Sequence, residues 1–152
     1  MMSMTQEADS YTGAESVFVS KLTLTNYRCY HRAVIAPSCR QPLVVLTGPN
    51  GAGKTNVLEA ISYLAPGRGL RRAALAEVAR RSGSDADAGS SAAALGPDGT
   101  WAVAATLKVG AEPVKIGTGI ERPADETANK RLVRIDGEAV ANSNMLGERW
   151  SV

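Results

Sequence analysis

Leu43-Val44-Val45-Leu46-Thr47-Gly48-Pro49-Asn50-Gly51-Ala52-Gly53-Lys54-Thr55 is the stretch on which the rest of the chain turns. Its last eight residues fit the pattern G-x-x-x-x-G-K-[ST]. The apolar, β-branched run at 43–46 predicts a strand buried on both faces. Val57, Leu58, Ile61 and Leu64 follow at the spacing of one helical face, which predicts a helix over about 55–65. Pro66-Gly67 closes it, because the residue before a proline is pushed out of helical geometry. A strand before the glycine-rich segment and a helix after it are the context this pattern requires.

Each part of the segment has a physical task. Gly48, Gly51 and Gly53 let the backbone curl with its N–H groups inward. Those donors and the helix N-terminus make a cradle for phosphate. Lys54 is placed to neutralise β- and γ-phosphate charge, and Asn50 to touch the γ-phosphate. The Thr55 hydroxyl suits Mg²⁺, a cation that takes oxygen ligands. Gly48, Pro49, Asn50, Gly51, Ala52, Gly53, Lys54 and Thr55 are thus the expected nucleotide site, with ATP and Mg²⁺ as cofactors. The plain alternative is a glycine-rich turn that binds nothing. Hydrolysis needs a further Mg²⁺ ligand and a group that positions water, usually four apolar residues followed by acidic ones. No such run occurs after residue 64: Asp136 follows Leu-Val-Arg-Ile, where Arg134 interrupts and Gly137 favours a turn. Glu59 reads as a surface residue of the helix. The expectation is nucleotide binding without efficient turnover, with no catalytic residue to name.

Working outward, residues 1–16 have no apolar run and read as a disordered leader, with the fold beginning near Val17. Leu22 and Leu24 alternate with polar neighbours, and Ala33-Val34-Ile35 forms a second short strand. Residues 68–81 read as a basic turn and short helix carrying Arg68, Arg71, Arg72, Arg80 and Arg81. These arginines are either solvated charges or contacts to DNA phosphates. SGSDADAGSS reads as a loop. A β region follows over about 92–141, with strict alternation from Trp101 to Val109 and a hairpin at Asp136-Gly137. Trp150-Ser151-Val152 starts another apolar run, so the expectation is an incomplete domain.

Composition narrows the alternatives. The 152 residues are 44% apolar and 21% charged, within the globular range. No stretch approaches the roughly 18 apolar residues of a membrane span, and no secretory signal opens the chain. A cytoplasmic protein is expected. Net charge of +2 is too mild to imply nucleic-acid binding by itself. Cys29, Cys39 and His31 are too few for a four-ligand zinc site.

Two strands before the glycine loop and antiparallel β after its helix resemble the ABC-type heads of the SMC family. Leu22-Thr23-Leu24-Thr25-Asn26-Tyr27-Arg28-Cys29-Tyr30 resembles the L-x-L-x-N-F-R-N-Y opening of the RecF family of bacterial recombination and gap-repair proteins. GPNGAGKTNVLEAISYLAPGRGLR resembles the same family's G-x-N-G-x-G-K-T-N-x-L-E-A-I. The fold implied is α/β: a P-loop NTPase of ABC/SMC-head type, N-terminal lobe, with a largely antiparallel β subdomain. The resemblance places Arg28 near the nucleotide phosphates. It also implies weak DNA-dependent ATPase activity, an ATP-dependent homodimer, DNA at gaps or single-strand/duplex junctions, recombination-mediator partners and a part in the SOS response. The signature motif, Walker B and D-loop of that family are absent from these 152 residues, so neither turnover nor an ATP-driven dimer is expected of this chain. A small P-loop phosphotransferase and a non-catalytic nucleotide-binding remnant are the other readings.

Overall fold

In the computed structural model the described residues are 17–37, 43–80, 99–109, 112–121 and 130–141. Six strands form one antiparallel sheet: β1 (Val17–Tyr27), β2 (Tyr30–Ile35), β3 (Trp101–Val109), β4 (Glu112–Glu121), β5 (Lys130–Ile135) and β6 (Glu138–Ala139). Their order is β2-β1-β3-β4-β5-β6. Helices α1 (Lys54–Ser62) and α2 (Leu75–Val78) lie in the chain between β2 and β3. The pairing that spans both helices in the chain is therefore β1 with β3, in which Leu22 faces Ala105 and Leu24 faces Val103.

Alternation assigns the two faces of the sheet. Leu22, Leu24, Trp101, Val103, Ala105, Ile116, Ile120, Val133 and Ile135 point inward and are buried with Val57, Ala60, Tyr63 and Leu64 of the α1 region. Tyr27 breaks the alternation: Asn26 takes φ 47, and the next side chain turns into the core. There Tyr27 meets Tyr63 and Trp101 edge to face and Tyr63 lies tilted against Trp101, with ring centroids 5.2–6.3 Å apart. The Trp101 indole donates to the Leu75 carbonyl at 2.8 Å, tying β3 to α2.

The β3–β6 meander follows the sequence pattern, including the turn at Asp136 (φ 51) and Gly137 (φ 91). Three expectations fail. Residues 43–46 form no strand, and Leu43, Val44 and Val45 are exposed, Leu43 at 74% and Val45 at 69%. A strand buried on both faces needs a neighbour on each side, and none of the six strands pairs with this segment. Helix α1 is also rotated from the predicted face. Val57, Ala60, Tyr63 and Leu64 face the sheet, while Leu58 and Ile61 point to solvent. The second strand begins at Tyr30 rather than Ala33, because Arg28 at φ 52 and Cys29 close a tight two-residue turn. The predicted leader, the 82–91 loop and Trp150 lie outside the described residues.

Candidate functional site

The loop between residues 47 and 54 is built as its glycines predict. Gly48, Gly51 and Gly53 take φ 145, 84 and 92, and the Ala52 N–H donates to the Pro49 carbonyl at 3.3 Å. Gly53 is the N-cap of α1, and its carbonyl accepts the N–H groups of Asn56 and Val57 at 2.8 and 3.1 Å. The N–H groups of Lys54 and Thr55 then open the helix with no intrahelical acceptor. Such groups carry the positive end of the helix dipole. The Lys54 ammonium crosses the loop and donates to the carbonyls of Gly48 and Pro49, each at 2.7 Å. Asn50 and Thr55 are exposed, with Thr55 at the helix start. A curled backbone, a bridging ammonium and an accessible hydroxyl are a donor set that fits a polyphosphate and a hydrated Mg²⁺.

The β1–β2 turn presses on this loop. A side-chain carbon added at Gly53 would lie 2.3 Å from the Tyr30 hydroxyl and 2.9 Å from Cys29 Sγ, so only glycine fits there. Asn56 donates its amide to Cys29 Sγ at 3.3 Å, a second tie between turn and helix. Burial is the first cause that raises the Tyr30 hydroxyl pKa, and the neighbouring Cys29 adds to it.

Beneath the loop lies a group that the sequence reading misplaced. Glu59 is fully buried, not a surface residue. Arg28 Nε donates to one of its oxygens at 2.9 Å and Nη2 to the other at 2.6 Å, a bidentate pair. Arg28 Nη1 donates to the Glu77 carbonyl at 2.9 Å. Arg28 is thus engaged by a carboxylate and a carbonyl on the core side of the turn, and hydrogen bonding to Glu59 is the leading cause of its raised pKa. Arg71 approaches the same carboxylate at 3.7 Å. Nothing in the helical periodicity announces this burial. The signal available was Arg28 itself, a cation in a turn whose partner had to come from elsewhere.

Arg131 on β5 is a further group that the sequence reading did not single out. Its guanidinium donates to the carbonyl of Tyr63, the C-cap of α1, to that of Gly67 in the segment beyond, and to Thr118 Oγ1, and it sits 5.5 Å from the Tyr63 ring centre. Burial lowers its pKa. A cation on the last carbonyls of a helix complements their partial negative charge.

The arginines described between 68 and 80 differ in surroundings. Arg68 and Arg72 are exposed, Arg71 turns toward Glu59, and Arg80 is half-buried with its N–H on the Asn26 carbonyl at 2.7 Å. Arg81 lies outside the described residues. No described helix is long and apolar enough to cross a membrane.

Comparison with known proteins bears on the fold. A family model described as an AAA domain matches residues 21–85. The DNA replication and repair protein RecF of Allorhizobium ampelinum is 43% identical over 139 residues, which cover 91% of this chain and 32% of that protein. RecF of Mesorhizobium japonicum is 49% identical over 119 residues, 78% of this chain and 27% of its own length. The chain therefore spans about a third of the relatives it matches. Among solved structures, the recombination mediator protein RecF bound to ATP superposes with a TM-score of 0.64 at 17% identity, covering 90% of this chain and 31% of that one. A structure from a study of ATP-driven dimerisation of SMC ATPases gives 0.61 at 19% identity, covering 86% and 76%. The fold is that of the P-loop heads of this class, and by sequence and structure together the chain is similar to the N-terminal part of RecF.

Proposed function

We propose that residues 48–55 bind ATP with Mg²⁺, in a cytoplasmic protein that acts on DNA in recombinational repair. The observation that carries this reading is the loop itself. Three glycines at positive φ feed into the N-terminus of α1, with Lys54 bridging the loop and Thr55 exposed at its end. In this reading the loop N–H groups and Lys54 hold the β- and γ-phosphates, Asn50 reaches the γ-phosphate, and Thr55 ligates Mg²⁺. Arg28 acts from beneath, by fixing Glu59 and so the height of α1. It comes to the phosphates only by leaving that carboxylate.

The relatives' names support a part in DNA replication and repair; the reading extends it to binding at gaps or single-strand/duplex junctions, work with recombination mediators to load the recombinase, and a place in the SOS response. Arg68, Arg71, Arg72, Arg80 and Arg81 are the proposed contacts to DNA phosphate, and Arg68 and Arg72 are exposed. This chain alone is proposed to hold nucleotide without efficient hydrolysis. The test is titration with a fluorescent ATP analogue and Mg²⁺. Lys54→Ala weakens binding at least tenfold if the loop is the site. Equal affinity in the variant refutes the site, and steady turnover that Lys54→Ala abolishes refutes the claim of binding without hydrolysis.

A further inference from the structure

The outer face of the sheet, opposite α1, carries a trough that the nucleotide reading does not use. Two concavities, of about 420 and 300 Å³, share Ala104, Gly117 and Arg134 and so run together along β3 and β4. The registers give the layout. One row runs Thr25–Ala102–Gly119–Leu132, the next Thr23–Ala104–Gly117–Arg134, and the third Lys21–Thr106–Lys115. The floor of the first two rows is methyl groups and bare backbone. At Gly119 a side-chain carbon would lie 2.3 Å from the Trp101 carbonyl oxygen, while at Gly117 it would meet nothing within 4 Å. The trough is therefore open above Gly117. Its other end is basic: Lys21, Lys115 and Arg134 are exposed there. Asp136, at the adjoining turn, already accepts the Lys115 N–H at 2.8 Å.

We propose that this trough docks an acidic peptide segment of a partner protein, with an apolar side chain over Ala102–Gly119 and a carboxylate at Lys21, Lys115 and Arg134. The separation fixes the spacing. From the first row to the third is four residues of β3, roughly 13 Å, which an extended peptide spans in about four residues. Burying an apolar side chain on the methyl floor is favourable, and the carboxylate gains three cations at the rim. Nucleic acid fits less well. A phosphodiester strand carries a charge about every 3.4 Å, which sets anions over the apolar end as well as the basic one.

The probe is a fluorescein-labelled hexapeptide, Leu-Ser-Leu-Ser-Glu-Glu, followed by anisotropy on this chain at low salt. Saturable binding is expected, lost when the two glutamates become lysines and unaffected by ATP with Mg²⁺. Gly117→Leu fills the trough without strain and raises Kd at least tenfold. Arg134→Glu, at an exposed side chain, does the same, and both variants keep the melting temperature. Absence of binding to the unmodified chain overturns the proposal, as does an unchanged Kd in both variants. A 20-base-pair DNA duplex that binds and loses affinity in Gly117→Leu also overturns it, since the trough then seats a phosphate backbone. The outcome is independent of whether the glycine loop binds ATP.

Discussion

Glu59→Gln separates a structural carboxylate from a surface one. Both oxygens of the fully buried Glu59 accept hydrogen bonds from Arg28, at 2.6 and 2.9 Å. Glutamine keeps the shape and one acceptor, but it removes the negative charge and turns an N–H₂ group toward the guanidinium. A hydrogen bond to a charged group is worth about 1.5–3 kcal/mol, and stranding a buried charge costs about 3–5 kcal/mol. The Arg28 side chain is 19% exposed and keeps the Glu77 carbonyl. Water and that carbonyl recover part of the loss, which leaves about 2–3 kcal/mol. For a domain of this size each kcal/mol lowers the melting temperature by about 2–4 °C, so the drop is roughly 5–10 °C. The assay is thermal unfolding by circular dichroism, with Glu77→Gln alongside. Glu77 is exposed and its side chain meets only the Ala74 N–H at 3.2 Å, so that variant shifts less. A surface Glu59 predicts a change within about 0.5 kcal/mol. Melting of Glu59→Gln within about 1 °C of the unmodified chain refutes the buried-pair argument.

Further outcomes follow from single contacts. Gly53→Ala drives a side-chain carbon into Tyr30 and Cys29 at a positive φ, so it lowers both stability and nucleotide affinity, and wild-type ATP binding in that variant contradicts the packing. Gly119→Ala lowers the melting temperature because its carbon meets the Trp101 carbonyl oxygen, whereas Gly117→Ala does not; equal melting of the two refutes the difference between the sites. The Tyr63 hydroxyl is buried with no hydrogen-bond partner among the described residues, and burial followed by the charge of Glu59 raises its pKa. A tyrosine that stays neutral longer when folded stabilises the fold below the unfolded value of about 10 and loses that contribution as pH rises above it. Tyr63→Phe therefore melts no lower at pH 7 and flattens the fall in stability above pH 10; an unchanged alkaline slope counts against it.

The sheet was legible in sequence where one face is buried and the other is wet. Trp101 to Leu107 alternates because its odd residues are buried in the core shared with α1, and Asp136-Gly137 marks the later turn because both positions take positive φ. The glycine loop was legible for a like reason: its spacing encodes backbone shape directly. What escaped reading depends on distant partners. Val44 and Val45 carry strand propensity, but pairing decides whether a strand forms. Leu58 and Ile61 have the same hydrophobicity as Val57, so periodicity alone did not show which side of α1 meets the sheet. Glu59 is paired across 31 residues of chain, Arg131 across 68, and no local pattern records either contact.

The β1–β3 pairing also bears on how the loop forms at all. Ser20 Oγ donates to the Thr106 carbonyl at 3.0 Å across 86 residues of chain, and the whole glycine loop and α1 lie inside that span. Contacts at such separation close late and slowly, because the chain entropy must be lost before they stabilise anything. The loop thus acquires its backing only after the sheet has closed around it. Recovery of nucleotide affinity during refolding should track the slowest tertiary step, not the faster appearance of helix.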